Sequence, residues 1–494
     1  MGRACRGLVA TVVAVAGVAS IVATSPPFSW LSLEVDPPAV CRGAPVALSW
    51  DLGGAPMPPS AIRIVSVPDD AFSPPITGVL LEREGEIEVT ALAPAYIGVY
   101  EEHLAGHRLT WRAVTVDVAD CEARGFQVGS DELPMVAIAH DPSSGHLLVA
   151  VEPTSATTPS GLRRWSPELE PLAAIEVSGR ITDLAVAVDG RLGITGALPH
   201  PDPDVETTVA FAGVVEPDGT PLWLAVLEPP AGDLDAGSQG LAVAFGPDGG
   251  LVVAGWSSTG GPRQGFVRRH DATGRLIWEH PVAAGDATEA RAVAVRDGGD
   301  VMVAGLTRAR LTGDEGPSGL EVFVRALDGA SGAKAWTAQR PPASPLGGRP
   351  ALARLSGDRV LLLALHLTAF GADGEELWTR APEPGHGYSA LAEDGVGGAF
   401  VASNVQVEVP FPSVAYELRR RVDVLVERYD ADGLQVWEHT FGSLGVDLVV
   451  ALTAWPEAGD DAVAVAGTTS GSLLTPVDDP LPRWSYLKVL ARER

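Results

Sequence analysis

The sequence predicts an all-β chain, an N-terminal β-sandwich followed by a seven-bladed β-propeller of four-stranded blades. Three observations predict it. A turn glycine is followed four residues later by tryptophan five times over, in "DGTPLW" at 218, "TGRLIW" at 273, "SGAKAW" at 331, "DGEELW" at 373 and "DGLQVW" at 432. A short strand of small apolar residues recurs seven times, as "MVAIAH" at 135, "DLAVAV" at 183, "LAVAF" at 241, "RAVAV" at 291, "ALARL" at 351, "SALAED" at 389 and "DLVVAL" at 447. The composition is that of a folded, turn-rich protein: 46% hydrophobic and 20% charged, with 56 Gly and 41 Pro among 494 residues.

Residues 1–25 have the order of an export signal. Arg3 and Arg6 precede an apolar run from Leu8 to Ala23, and Pro26 and Pro27 follow. The run is short of the roughly 20 residues a spanning helix needs, so cleavage is preferred to anchoring, leaving no membrane span. The address expected is secreted, periplasmic or cell-surface.

Residues 28–121 alternate apolar and polar positions in short runs, "FSWLSLEV", "APVALSW", "AIRIVSV", "EIEVTAL" and "RLTWRAVTVDV", broken by Pro and Gly. Period two with frequent turns predicts antiparallel strands. Outside the signal the chain keeps two cysteines, Cys41 and Cys121. In an exported chain an even pair reads as a disulfide, with two free thiols as the alternative. The bond would close a loop of about 80 residues, worth about 4.5 kcal/mol on the chain-entropy model.

From 123 to 494 the repeat takes over. Residues 132–494, divided into seven units, give about 52 residues each, within the range of propeller repeats. Each first strand is followed by a Gly turn and a second strand such as "LVVAG" at 251 or "VMVAG" at 301, then by a third strand and the Trp-bearing fourth. Trp223, Trp278, Trp336, Trp378 and Trp437 share one strand position and are expected to fill the wedge between blades. The first unit departs from this rule, with Ala173 at the aligned position and Trp165 earlier. The last unit ends after its third strand, and "ARGFQVGS" at 123–130 resembles "VWEHTFGS" at 436–443. The expectation is a ring closed by 123–130 pairing with the C-terminal strand, which removes an open sheet edge.

These residues carry a resemblance. The Asp-Gly-x-x-x-Trp phrase with "VVAG" resembles the repeat of secreted bacterial β-propeller proteins, and "LDGASGAKAWTAQ" is similar to the quinoprotein (PQQ-like) blade motif. The N-terminal region resembles bacterial immunoglobulin-like modules. The resemblance implies fold, since the motif is structural in scaffolds and enzymes alike. A quinone cofactor is not expected: the quinoproteins' paired cysteines and metal-binding acids have no counterpart, and no cysteine lies beyond Cys121.

Acidic residues outnumber basic ones 63 to 35, for a net charge of −28, which argues against nucleic acid as a partner. Neither Gly-x-Ser-x-Gly, a phosphate loop nor His-Glu-x-x-His occurs. The expected function is therefore non-catalytic: a monomeric binding or scaffold protein presenting loops to protein or glycan at the cell envelope. The alternative is a hydrolase or lyase with an acidic site in the funnel. Longer loops place Asp202, Asp204, Asp233 and Asp235 on one face as weak calcium candidates, with no other cofactor expected. Trp256, Phe411 and Tyr416 are the candidate ligand-face aromatics.

Overall fold

The computed structural model describes residues 32–491, except 52–61, 68–70, 77–83, 103–107, 121–123, 130–134, 153–159, 201–206, 228–235, 283–286, 313–318, 341–348, 411–417, 460 and 475–483. The chain is all-β. Among the described residues, strands assemble into nine four-stranded sheets.

Two sheets come from the N-terminal region. One orders Ser32–Asp36, Pro45–Asp51, Glu84–Ala91 and Phe72–Ser73, and the other Ala39–Cys41, Arg108–Ala119, Ala95–Glu102 and Ile62–Val67. Their inward residues, among them Leu33, Leu48 and Phe72 from one and Ile64, Ile97 and Val116 from the other, form a single core. Alternation places one apolar face of each sheet inside, as the period of two requires.

The remaining seven sheets, I to VII, are consecutive along the chain. Their first strands are Met135–His140, Arg180–Val186, Ala236–Phe245, Thr288–Val295, Ala351–Leu355, His386–Glu393 and Asp447–Ala454. In sheets I to VI the four strands follow in sequence order, each antiparallel to the last. Sheet VII takes its fourth strand from far upstream: Gly125–Gly129 pairs antiparallel with Trp484–Leu490, in register from Trp484 opposite Gly129 to Lys488 opposite Gly125. The first strands pack against one another in succession, and that of sheet VII also packs against that of sheet I.

Second strands are the most deeply buried, with Val252, Val253 and Ala254 or Met302, Val303 and Ala304 sealed from solvent. Successive sheets are joined through the repeated tryptophan. Four of the five indoles lie on the turn glycine of the following sheet: a Cβ added at Gly274, Gly332, Gly374 or Gly433 would stand 2.6–2.8 Å from Trp223, Trp278, Trp336 or Trp378 respectively. The Gly of each turn thus serves the Trp of the preceding sheet as well as its own positive φ. Trp278, Trp336 and Trp378 also donate Nε1–H to carbonyls of the next sheet, at Gly329, Ala372 and Ala431.

Of the five tryptophans, Trp278 is buried, at 8% exposure, and the other four are half-buried. One expectation needs correction. In sheet I the place of the tryptophan is taken by Ile175, not Ala173: a Cβ at Gly219 would meet Ile175 Cγ2 at 2.9 Å. The turn before it is longer, with Leu169 at φ 66 where the other sheets use glycine. Trp165 instead stacks on Phe126 of sheet VII at 5.1 Å.

The N-terminal sheets are tied to sheet VII. Asp120 N–H donates to Leu473 O, Lys488 Nζ reaches Asp120 Oδ2 at 2.9 Å, and Asp117 accepts N–H bonds from Leu444 and Ser472.

Candidate functional site

Six of the seven first strands contain a β-bulge, at which pairing to the second strand skips one residue. A bulge turns its extra residue out of the ladder and re-aims it. The skipped residues are Val136, Thr182, Leu241, Arg291, Ser389 and Val450, and all six line one cavity of about 490 Å³. Because six first strands contribute, this cavity lies in the space they enclose, at the end where they begin.

The "AG" that closes many second strands is the counterpart of the bulge. A Cβ at Gly305 would stand 1.9 Å from Glu289 O and 2.9 Å from Phe323, and one at Gly255 would stand 2.1 Å from Gln239 O. The bulged strand presses its backbone onto a position where no side chain fits.

Around the bulges stand Glu152, Arg180, Gln239, Trp256, Arg263, Glu289 and Arg349. Trp256 ends a second strand beside Gln239, and the guanidinium of Arg263 lies 4.0 Å over its ring. Glu289 joins two arginines: Arg263 Nη1 donates to Oε1, and Arg291 Nε donates to Oε2 at 2.8 Å. Burial would raise the Glu289 carboxyl, but the Arg263 hydrogen bond and the Arg291 charge outweigh it and hold the group below the ordinary range. Arg180 pairs with Glu152. Arg349 is exposed, and neither it nor the Gln239 amide bonds to any described residue. Among the described residues that line the mouth, four arginines stand against two glutamates, inside a chain whose net charge is −28.

Just past the bulge, five of these strands carry alanine, at Ala137, Ala242, Ala292, Ala390 and Ala451; sheet II carries Asp183. Asp183 Oδ2 accepts Val243 N–H of the neighbouring first strand at 2.9 Å. The surrounding protein raises its carboxyl to about 7, although the residue keeps partial exposure.

The opposite end of the enclosed space is wider, about 910 Å³, yet its charges are committed. Arg191 pairs with Asp189, Arg354 with Glu393 and Asp297, and Asp248 with Arg269, while Arg296 donates to the carbonyls of Gly371 and Ala372. Saturated charges hold the turns together and have little left for a ligand, so the smaller mouth is the candidate site.

Of the residues singled out in sequence, Trp256 lies in this mouth. Asp202, Asp204, Asp233, Asp235, Phe411, Tyr416 and Cys121 lie outside the described residues. Among the described residues no group of three or more His, Cys, Asp or Glu is placed to hold a metal ion, and no helix is long and apolar enough to cross a membrane.

No protein-family model matches the chain, and no curated protein matches it. Solved structures similar to it include virginiamycin B lyase from Staphylococcus aureus, at 9% identity and TM-score 0.44 over 74% of this chain and 98% of that one. Another is BamB from Moraxella catarrhalis, at 10% identity and TM-score 0.37 over 79% and 93%. A third is a Bacteroides caccae protein of unknown function, at 13% identity and TM-score 0.35 over 60% and 93%. Likenesses this distant carry no argument about activity.

Proposed function

We propose that the chain is an exported binding protein, a signal segment (1–25), an immunoglobulin-like sandwich (28–121) and a seven-bladed propeller (123–494), which holds a protein or glycan partner at the cell envelope. The closed succession of first strands and the pairing of Gly125–Gly129 with Trp484–Leu490 support the seven-bladed ring. The common core of the two N-terminal sheets supports the sandwich. A Cys41–Cys121 disulfide is supported by the strand Ala39–Cys41, which runs parallel to Asp117–Ala119 with Arg42 N–H bonded to Ala119 O. That register brings the chain two residues short of Cys121 alongside Cys41.

The observation that carries the binding reading is the bulge-lined mouth, where a half-buried indole, an amide bonded to no described residue and four arginines against two glutamates among the described lining residues converge on one cavity. Its volume is within the range of about 300–1,000 Å³ common to ligand sites. The test is an array of envelope glycans and purified envelope proteins probed with the full chain and with Trp256→Ala. Capture that weakens in the variant supports the reading; capture indifferent to Trp256, or none at all, overturns it.

The second reading, a hydrolase or lyase, is favoured by one observation. Asp183 is a carboxyl with a pKa near neutrality at a channel position where the other bulged first strands have alanine. Turnover of a captured glycan that Asp183→Asn abolishes, with capture intact, would establish it over the first.

A further inference from the structure

We infer that the mouth recognises an acidic oligosaccharide, one whose sugar rings bear carboxylates, as uronic acid units do. The inference rests on the binding reading above and names the ligand class of the same cavity.

The argument begins with charge. A chain of net charge −28 repels anions at long range, yet the described residues lining the cavity carry four arginines against two glutamates. Fields in a concave, protein-walled site are focused, so this local excess governs what enters. The excess is arginine throughout, and the guanidinium fork matches a carboxylate with two parallel N–H bonds. Arg349 bonds to no described residue, and Arg180, roughly half exposed, can turn one edge to a ligand while keeping Glu152.

Glu289 then has a clear part. By bonding both Arg263 and Arg291 it fixes two forks at the rim, with Arg263 stacked on Trp256. Arginines so held lose less freedom on meeting an anion. Beside them the Trp256 ring supplies an apolar plane for the C–H face of a pyranose, and the Gln239 amide supplies a donor and an acceptor for hydroxyls. Carboxylate, ring face and hydroxyls occur together on a uronic acid unit. Inorganic phosphate would use the forks and leave the indole and amide idle, and a neutral sugar would do the reverse.

The test is titration calorimetry of the full chain with a galacturonic acid trisaccharide and with the matching neutral galactose trisaccharide. The expected result is binding of the acidic sugar, weakened by added salt, with the neutral one at least tenfold weaker. Arg349→Gln, which breaks no bond to a described residue, should weaken the acidic sugar about tenfold. Arg191→Gln at the opposite end should leave it unchanged. Equal binding of both sugars, lost on Trp256→Ala, overturns the anion assignment and leaves the binding reading standing. Displacement of the acidic sugar by equimolar inorganic phosphate overturns the sugar part. No binding of either sugar overturns the inference altogether, and the array experiment then decides the broader reading by itself.

Discussion

The repeated glycine and tryptophan make a quantitative prediction about how neighbouring sheets are joined. Trp278 is 8% exposed, donates to Gly329 O at 2.8 Å and lies against Gly332. Trp278→Ala should cost about 3–5 kcal/mol, as for other buried aromatic truncations. Gly332 has φ +69, and a Cβ there would stand 2.7 Å from the indole. Gly332→Ala should therefore cost about 1–2 kcal/mol for the left-handed backbone and about 1–3 kcal/mol more for overpacking. Once the indole is gone the second cost disappears. In the Trp278→Ala background, Gly332→Ala should cost the backbone share alone, so the double-mutant cycle should give a coupling of about 1–3 kcal/mol. Gly299, with φ +92 and nothing within 4 Å of its added Cβ, is the control. Gly299→Ala should cost about 1–2 kcal/mol in both backgrounds. The measurement is urea unfolding followed by far-ultraviolet circular dichroism. If Gly332→Ala costs the same with and without Trp278, the tryptophan does not rest on the next sheet's turn and the reasoning fails.

Gly305→Ala should cost about 3 kcal/mol or more, since its Cβ would stand 1.9 Å from the Glu289 carbonyl; a melting temperature within 1 °C of the parent would refute the close approach. Asp183 has its folded pKa raised to about 7, so the folded chain holds a proton that the unfolded chain has released, and the group's contribution falls as pH rises from about 4 to about 7. Asp183→Asn should therefore gain stability relative to the parent across that window and hold the gain constant above it; a pH-independent difference would refute the assignment. Non-reducing peptide mapping of the native protein should join Cys41 to Cys121, and alkylation of both would disprove the bond.

Strand order was legible in the sequence because glycine turns and period-two alternation are local signals. The five Gly-x-x-x-Trp phrases each open a fourth strand, and "GFQVG" could be matched to the missing strand of the last unit by its likeness to "HTFGS". What the tryptophans touch was less so, since their partners are far along the chain, as Trp278 Nε1 reaches Gly329 across 51 residues. The first unit misled for a physical reason: Leu169 lengthens its turn, and counting from a glycine turn lands on Ala173 instead of Ile175. The mouth was the least legible part. A bulge leaves no mark in hydrophobic alternation, and Arg180, Arg263, Arg291 and Arg349 are dispersed over separate segments of an acidic chain. Only the ring brings them together. One signal was present: a charged residue stands in "TDLAVAV" and in "ARAVAV" where the other bulged first strands carry uncharged residues, at Asp183 and Arg291.

The borrowed fourth strand of sheet VII also has a biosynthetic consequence. A ribosome delivers Gly125–Gly129 early and Trp484–Leu490 last, so the nascent chain carries an orphan strand throughout synthesis of every repeat between them. Chains released by a premature stop, or trimmed at the tail by a protease, would retain Val463–Thr469 as a bare sheet margin, a template for clumping and a flag for degradation.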